Sequence, residues 1–252
     1  MERSLFFTLL GAWAALGWII FLVLLFISAP YGRHTREGWG LTIPNRWGWF
    51  LMEFPALLVF TFFFLSGEDR IPPVTWIFFA AYVGHYLYRS LVYPWRTRTR
   101  GKRMPLLVAL MAVVFNLVNG YFNGRYFAAF APDYPTGWLT DPRFIAGLLM
   151  FAGGVWINQR ADQRLLSLRR GGKRGYQIPR GGMFRWVSCP NFLGECIEWT
   201  GFAVMSWSPA AAVFALWTCF NLVPRALDHH RWYRATFPDY PAQRKAIIPG
   251  IL

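Results

Sequence analysis

Charged residues are scarce in this chain of 252 residues, since Asp, Glu, Lys and Arg together make up only 15%. A soluble globular protein has about 25% charged residues. In their place the sequence has 55% hydrophobic and 19% aromatic residues. This composition excludes an ordinary soluble domain and favours an integral membrane protein.

Cysteine and histidine are also few. The three cysteines, Cys189, Cys196 and Cys219, form no CxxC pair and no even-numbered framework. His229 and His230 are adjacent, and neighbours in sequence point to different faces of a helix. We therefore expect neither a disulfide framework nor a metal site.

Nucleotide-binding motifs of the soluble folds are missing as well. The sequence has neither G-x-G-x-x-G nor G-x-x-x-x-G-K-[ST], and the glycines of "RGGKRG" at 170–175 are wrongly spaced. The longest piece between apolar segments, about 161–189, is too short for a βαβ nucleotide fold. Any nucleotide must therefore bind in a different way, and we predict a single membrane domain over residues 1–252.

Long apolar segments dominate the chain instead. The first, residues 5–28, has 24 residues without a charge, enough to cross the ~30 Å hydrocarbon core of a bilayer and too long for a typical signal peptide. A very tight turn, "SWSP" at 206–209, separates the last two segments. The sequence predicts an all-α membrane protein with spans at 5–28, 47–66, 74–93, 104–122, 142–160, 190–207 and 209–227.

The net charge of +14 is unevenly distributed along the chain. The connections between predicted spans alternate between many and few basic residues, and the basic side holds 21 of the 26 Lys and Arg. By the positive-inside rule this alternation predicts seven transmembrane helices, with the N-terminus outside and the C-terminus cytoplasmic. Because topology accounts for most of the charge, we expect no nucleic-acid partner. The membrane is expected to be a bacterial inner membrane or the endoplasmic reticulum.

Polar side chains within the spans recur at helical spacing, so each group shares one helix face. Ionisable groups inside a bilayer cost several kcal/mol unless they face a partner or a cavity, which makes each a site candidate. Pro55, shortly after Glu53, bends the helix and opens room beside that carboxylate. The other groups are Tyr82, Tyr86, Arg89 and Tyr93; Asn116, Asn119 and Asn123; Asn158 and Asp162; Asn191, Glu195 and Glu198; and Arg225, Asp228, His229 and Tyr233.

Hydrogen bonds between helices, worth ~0.6–2 kcal/mol each, are the alternative explanation for the asparagines and for single tyrosines. For the row Asn191, Glu195 and Glu198, the alternative is internal salt bridges with Arg225 or Arg231. Taken together, polar faces on most of the predicted helices favour a large polar ligand inside the bundle.

Several long motifs in a fixed order resemble the steroid 5-alpha reductase family along almost the whole chain. The N-terminal half has "YGRHT" at 31–35, "WFLMEFP" at 49–55, "HYLYRSLVYP" at 85–94 and "YPTGWLTDPRF" at 134–144. The C-terminal half has "GYQIPRGGMFRWVSCPNFLGECIEWTGFA" at 175–203, "RALDHHRWY" at 225–233 and "FPDYPAQRKAIIP" at 237–249.

The resemblance implies a membrane enzyme of seven helices that transfers a hydride from NADPH to the carbon–carbon double bond of a 3-oxo-4-ene steroid. It implies that residues 1–122 face the substrate and that residues 142–252, with a cytoplasmic loop at 160–189, bind the cofactor. The catalytic residues it implies are Glu53 and Tyr86. The cofactor-binding residues it implies are Trp49, Asn158, Asp162, Arg169, Tyr176, Asn191, Glu195, Arg225, His229 and Tyr233.

Three positions depart from the family's pattern. Met52 stands where steroid-reducing relatives often have Gln, and Gln177 replaces a common Arg. Asp228 interrupts a common run of histidines. The first departure bears on steroid preference, and the second bears on the contacts with phosphate.

A chemical hypothesis follows for the two catalytic residues. Hydride addition to an enone requires stabilisation of the charge that develops on the carbonyl oxygen. Burial is expected to keep Glu53 protonated, so that it and the Tyr86 hydroxyl each donate a hydrogen bond to that oxygen. The basic residues Arg169, Arg170, Lys173 and Arg174 are expected either to attract the phosphates of NADPH or to serve only as the positive-inside signal.

Other functions remain open from the sequence. Within the enzyme class, trans-2-enoyl-CoA and polyprenol reductases share the C-terminal half. A membrane methyltransferase of the isoprenylcysteine type and a non-enzymatic sterol-binding or transport protein are further alternatives. For the reductase, the expected partners are the steroid and membrane lipid, without metal, and the protein is expected to be a monomer.

Overall fold

The computed structural model describes residues 1–30, 32–34, 38–67, 71–97, 101–168 and 175–252. The chain is mostly helical within these residues, which agrees with the predicted class. The α-helices are α1 (Glu2–Phe26), α2 (Asn45–Leu65), α3 (Thr75–Leu87), α4 (Tyr93–Arg96), α5 (Leu106–Arg125), α6 (Pro142–Ser167), α7 (Pro190–Ser206) and α8 (Pro209–Thr236).

Shorter elements connect the α-helices. Two π-helical segments follow α3 and α5, at Tyr88–Val92 and Tyr126–Phe130. Three 3₁₀ segments lie at Gly32–His34, Thr136–Thr140 and Gly182–Arg185. The prediction of an all-α chain missed two short strands, β1 (Thr42–Pro44) and β2 (Arg103–Pro105), because three residues give too little alternation to be recognised.

Every predicted span falls on a helix of the structure. Within the described residues, α1, α2, α8 and the continuous helix Leu106–Phe130 are long and apolar enough to cross a membrane. Among the remaining helices, α3 and α7 are short, with 13 and 17 residues. The count of seven transmembrane helices and their orientation therefore stay predictions.

Two helices continue beyond the predicted spans. Hydropathy places the ends of the fifth and seventh spans at 160 and 227, but α6 reaches Ser167 and α8 reaches Thr236. The first part of the loop predicted at 160–189 is therefore helical. Hydropathy falls where polar residues begin, whereas the backbone hydrogen bonds of a helix can continue into water.

The chain forms two compact units. The first contains Met1–Leu10 and Pro30–Ile145, and the second contains Gly11–Ala29 and Ala146–Leu252. Each unit has its own buried core, with Phe60 and Phe78 fully buried in the first and Trp199 and Phe202 in the second.

In the first unit, α2 and α5 pack closely because glycine has no side chain. A Cβ at Gly120 would lie 3.0 Å from the Phe60 nitrogen, and one at Gly124 would lie 2.7 Å from the Phe60 oxygen. The antiparallel pair β1–β2, with Thr42 opposite Pro105 and Pro44 opposite Arg103, holds the starts of the same two helices side by side. This packing places the polar residues of α5 against α2.

In the second unit, two glycine pairs bring α6 and α7 into backbone contact. A Cβ at Gly147 would lie 2.7 Å from the Gly201 oxygen, and one at Gly154 would lie 2.6 Å from the Gly194 oxygen. The glycines are seven residues apart on each helix. Because seven residues make about two helical turns, both glycines of a helix lie on the same face. Helices this close bring short polar side chains on the two faces within hydrogen-bonding distance.

The turn between α7 and α8 is as short as predicted. Trp207 adopts the left-handed conformation, with φ of 46°, directly after the end of α7. The Ser208 hydroxyl then accepts a hydrogen bond of 3.2 Å from the Ala211 N–H and caps α8. The two helices are therefore antiparallel neighbours.

The C-terminal tail is tied back to the segment before α7. Ser188 N–H donates to the Lys245 carbonyl at 2.9 Å, and Cys189 N–H donates to the Ala246 carbonyl at 3.1 Å. The buried Ser188 hydroxyl also lies 2.7 Å from His230 Nδ1 and 2.6 Å from the Tyr240 hydroxyl. These bonds fix the end of α8 and the tail beside the start of α7.

Candidate active site

Glu53 lies on α2 in the first unit, next to a buried arginine. Arg89 Nη2 donates a hydrogen bond of 3.4 Å to Glu53 Oε1, and the two side chains are only 9% and 14% exposed. Two aromatic rings flank the same guanidinium. Arg89 Cζ lies 5.0 Å from the centroid of the Trp49 ring and 4.7 Å from the centroid of the Tyr93 ring. The ionic contact and the two rings hold the guanidinium in one position.

The π-helical segment explains how Arg89 reaches this position. Pro94 has no backbone N–H and therefore cannot donate to the carbonyl of Ser90, four residues earlier. The helix instead widens by one residue, and the Tyr93 N–H donates to the Tyr88 carbonyl. Such insertions often occur at functional sites. Arg89 belongs to one of the polar groups predicted as site candidates, but it is not among the catalytic or cofactor-binding residues that the family resemblance implies.

The guanidinium bears on the predicted protonation of Glu53. The prediction considered burial, which disfavours an ionised carboxyl group. Arg89 acts in the opposite direction because a cation 3.4 Å away stabilises the carboxylate anion. The protonated form of Glu53 therefore needs a further cause, such as a substrate oxygen that accepts its hydrogen.

Tyr86 lies buried on α3, also in the first unit. Its hydroxyl donates to Asn116 Oδ1 at 3.5 Å, and Asn116 Nδ2 donates to the Met52 carbonyl at 2.5 Å. The carboxamide of Asn116 thus connects the Tyr86 hydroxyl to the residue that precedes Glu53. Both predicted catalytic residues are held in one unit, on helices joined by this amide.

The asparagines of α5 form hydrogen bonds between helices, as the alternative explanation predicted. Besides the bond from Asn116 to α2, Asn119 Nδ2 donates to the Tyr82 hydroxyl of α3 at 3.0 Å. Asn123 Nδ2 donates to Asn119 Oδ1 at 2.9 Å along α5. These contacts are internal to the first unit, so the asparagines are not themselves evidence of a ligand.

Three of the predicted cofactor-binding residues meet in the second unit. Asn158 Nδ2 on α6 donates to the Asn191 carbonyl at 3.0 Å and to Glu195 Oε2 at 3.4 Å, both on α7. The close approach of α6 and α7 at Gly154 and Gly194 allows the Asn158 side chain to reach both groups on α7. Asp162 follows Asn158 by one turn and is also buried.

The remaining predicted residues of the second unit lie along α8 and near its end. Arg225, His229 and Tyr233 are four residues apart and share one helix face. The His229 ring lies 5.5 Å from the ring of Phe192 on α7, and Tyr176 lies 5.0 Å from Trp232. The helix needed for this face is therefore present, because α8 continues into the tail.

Some predicted residues have other surroundings. Trp49 lies in the first unit, against Arg89, whereas the other described cofactor candidates lie in the second unit. Asp228 is buried and accepts a hydrogen bond of 2.5 Å from Arg231. The partner of Arg231 in this contact is therefore on α8 and is not one of the two glutamates of α7. Arg169, with Arg170, Lys173 and Arg174, lies outside the described residues.

The donor and acceptor groups of the second unit fit a dinucleotide. Carboxylates such as Asp162 and Glu195 accept hydrogen bonds from ribose hydroxyls, and the amide of Asn158 matches a carboxamide. Arg225 and His229 offer N–H donors for phosphate oxygens. A metal ion would need other groups: in the part of the chain that the structure describes, no cluster of three or more His, Cys, Asp or Glu residues could hold one.

Apolar helices of membrane-spanning length and polar groups buried in each unit together define the class, a helical membrane protein. The family model for 3-oxo-5-alpha-steroid 4-dehydrogenase matches residues 102–252. Among related proteins, steroid 5-alpha-reductase DET2 of Gossypium hirsutum is 47% identical over 234 residues, which cover 90% of each chain. The 3-oxo-5-alpha-steroid 4-dehydrogenase 1 of Bos taurus is 39% identical over 100% of this chain and 98% of its own length.

The human 3-oxo-5-alpha-steroid 4-dehydrogenase 1 is 41% identical over 225 residues, which cover 88% of this chain and 86% of the human protein. The chain therefore belongs to the steroid 5-alpha-reductase family, also named the 3-oxo-5-alpha-steroid 4-dehydrogenase family. Membership places it among the oxidoreductases of steroid metabolism and confirms the resemblance predicted from the motifs.

Proposed function

We propose that this protein reduces the 4,5 double bond of a 3-oxo-4-ene steroid with NADPH as the cofactor. Family membership supports the reaction class. The observation that carries the residue assignment is the amide of Asn116, which contacts the Tyr86 hydroxyl and the backbone carbonyl next to Glu53. It connects the two acidic groups in one buried region.

The reaction explains why two acidic groups are needed together. Hydride addition to the β-carbon of an enone moves negative charge onto the carbonyl oxygen. Hydrogen-bond donors fixed at that oxygen stabilise this charge most strongly where water is excluded. The buried Tyr86 hydroxyl is one such donor, and its bond of 3.5 Å to Asn116 is long enough to be exchanged for a substrate oxygen.

Glu53 supplies the second donor in its protonated form, and Arg89 adds to its effect. When the carboxyl group carries a proton, the pair Glu53 and Arg89 has a net charge of about +1, from the guanidinium alone. That charge stabilises the negative oxygen of the intermediate, so the same arginine that favours the Glu53 anion also favours the product of hydride addition.

The second unit holds the cofactor in this proposal. When bound, NADPH supplies the hydride. Asp162 and Glu195 would accept hydrogen bonds from ribose hydroxyls, Asn158 would pair with the carboxamide, and Arg225 and His229 would bind phosphate oxygens. Tyr176, Asn191 and Tyr233 are also proposed to contact the cofactor, and Arg169 is proposed to contact a phosphate.

Substitution of the two acidic residues tests the assignment. We expect Glu53→Gln and Tyr86→Phe each to lower turnover at least about tenfold, at the lower edge of what a positioned acid contributes, while NADPH binding measured by fluorescence stays intact. Tyr121→Phe is a matched control, because this tyrosine lies against Phe63 and Phe122. Near-normal turnover in both acidic variants would refute the acid pair.

The substrate class is tested with the purified protein in detergent micelles. NADPH consumption is followed with progesterone or testosterone in one arm and with a trans-2-enoyl-CoA in the other. We expect consumption only with the 3-oxo-4-ene steroids. Consumption with the enoyl-CoA alone would replace the proposed substrate, and absence of NADPH binding would favour a sterol-binding protein.

A further inference from the structure

Two long apolar helices begin side by side at one end of the first unit. Both α2 and the helix Leu106–Phe130 are long and apolar enough to cross a membrane. The Asn45 N–H donates to the Lys102 carbonyl at 3.0 Å, and the Leu106 N–H donates to the Leu41 carbonyl at 2.7 Å. Because these bonds tie both helix starts to the strand pair β1–β2, the two helices would enter a bilayer from the same side.

We call this part of the first unit the strand end and define it by residues 38–50, 93–97 and 101–105. These residues include no Asp or Glu. All charged side chains of the strand end are basic and exposed, namely Arg46, Arg96, Lys102 and Arg103. The strand end therefore carries a concentrated positive charge.

Hydrogen bonds hold two of these guanidinium groups without neutralising them. Arg103 Nε donates to Thr42 Oγ1 at 2.8 Å across the strand pair, and Arg96 Nη1 donates to the Tyr88 hydroxyl at 2.7 Å. Both acceptors are uncharged oxygen atoms. The acidic residue that follows the strand end on α2, Glu53, is bonded to Arg89 instead.

Exposed aromatic rings lie beside the basic side chains. Trp47 is 52% exposed and Trp95 is 45% exposed, and their ring centroids are 5.9 Å apart. Phe50 lies 6.0 Å from each of the two rings. Since Arg46 precedes Trp47 and Arg96 follows Trp95 in the sequence, the aromatic cluster of α2 and α4 has a basic residue on either helix.

We propose that the strand end binds the headgroup of an anionic phospholipid. Clusters of about four to eight Lys and Arg beside a membrane span are typical of anionic-lipid binding. Guanidinium and ammonium groups donate charge-assisted hydrogen bonds to phosphate oxygens. Exposed tryptophans lie at the level of the headgroups in membrane proteins, which places the basic side chains within reach of the phosphate. The inference is independent of the proposed reaction.

A nucleotide phosphate has the same chemistry as a lipid phosphate. The exposed rings of Trp47 and Trp95 favour the lipid, because amphipathic indole rings contact glycerol and acyl groups at a bilayer surface. None of the four basic residues is among the residues proposed to contact NADPH. The test therefore measures both ligands.

Native mass spectrometry of the purified protein in detergent tests the proposal, with phosphatidylglycerol as the anionic lipid and phosphatidylcholine as the neutral one. The variant is Arg46→Gln combined with Lys102→Gln. We expect it to bind phosphatidylglycerol about 25-fold more weakly than the wild type, at about fivefold for each basic residue near an anionic lipid. Its binding of phosphatidylcholine and its Kd for NADPH should stay unchanged.

The matched control is Arg180→Gln combined with Arg185→Gln. It removes the same charge from two exposed residues of the second unit, so it should keep the affinity for phosphatidylglycerol. Three results would overturn the proposal: equal binding of the two lipids by the wild type, an equal loss in the control, or a loss confined to NADPH. The last result would assign the strand end to nucleotide phosphates.

A second variant keeps the test decisive if the first does not fold. Arg96→Gln changes a residue of α4 and leaves the strand pair intact. We expect it to weaken phosphatidylglycerol binding about fivefold. Wild-type affinity for phosphatidylglycerol in this variant would also count against the proposed lipid site.

Discussion

A single buried arginine determines the electrostatic surroundings of Glu53. Arg89 is held by an ionic contact on one side and by the rings of Trp49 and Tyr93 on the others. A guanidinium suits this position because it is planar and stacks on aromatic rings, which an ammonium group does less well. The charge of the site therefore depends on one side chain whose own position is fixed by three neighbours.

Substitution of Arg89 tests this dependence. Arg89→Leu leaves the Glu53 carboxyl buried without its cation, and the loss of one partner of a buried pair costs ~3–5 kcal/mol. Arg89→Lys keeps the charge but loses the stacking, so its melting temperature should lie between those of Arg89→Leu and the wild type. The control is Arg180→Leu, which removes an arginine of an exposed pair with Asp239 and should change the melting temperature little. Equal melting temperatures for Arg89→Leu and this control would contradict the account.

The residues at this scale were partly predictable from the sequence. Glu53 and Tyr86 stand out because polar groups are costly inside apolar spans. The place of Arg89 depends on the π-helical segment before Pro94, and no spacing rule for a regular helix gives it. The bonds of Tyr82 depend on how closely α5 approaches α3, which is a tertiary property.

Glycine determines how the helices of the second unit pack. The pairs Gly147 with Gly201 and Gly154 with Gly194 place the backbones of α6 and α7 in contact. Asn158 lies one turn beyond Gly154, and its bonds to Asn191 and Glu195 depend on this contact. Packing at the glycines and the arrangement of the proposed cofactor site are therefore coupled.

Two neighbouring glycines of α6 provide a matched test. A Cβ at Gly154 would lie 2.6 Å from the Gly194 oxygen, whereas a Cβ at Gly153 would meet nothing within 4 Å. Gly154→Ala should push the helices apart, cost ~1–3 kcal/mol and weaken NADPH binding. Gly153→Ala should keep NADPH binding and gain up to ~1 kcal/mol from helix propensity. Thermal melting and NADPH titration check both, and identical behaviour of the two variants would contradict the coupling.

Hydropathy predicted where the helices lie more reliably than where they end. Apolar runs correspond to every long helix, because a span needs about 20 apolar residues. The ends of α6 and α8 were missed because both helices continue into polar sequence. The strands β1 and β2 form only because the starts of α2 and α5 come together in the fold.

At the scale of the whole molecule, the sequence motifs, the family model and the related proteins lead to the same family. The relatives cover most of this chain, and the chain covers most of the relatives, so the likeness does not depend on one segment. The first unit contains Glu53, Arg89 and Tyr86, and the second contains Asn158, Asp162, Glu195, Arg225 and His229, which are proposed to bind the cofactor. A polar ligand in the second unit and an apolar ligand with one ketone near Tyr86 are the two requirements of the proposed reaction.

The most direct test of the central claim follows the hydride itself. Purified protein is incubated with progesterone and NADPH that carries deuterium at the transferable position of the nicotinamide. The account predicts a reduced steroid one mass unit heavier, with the deuterium at carbon 5, and at least about tenfold slower formation of this product by Tyr86→Phe. A reduced steroid without deuterium, or NADPH that binds but leaves the 3-oxo-4-ene steroid unchanged, would contradict it.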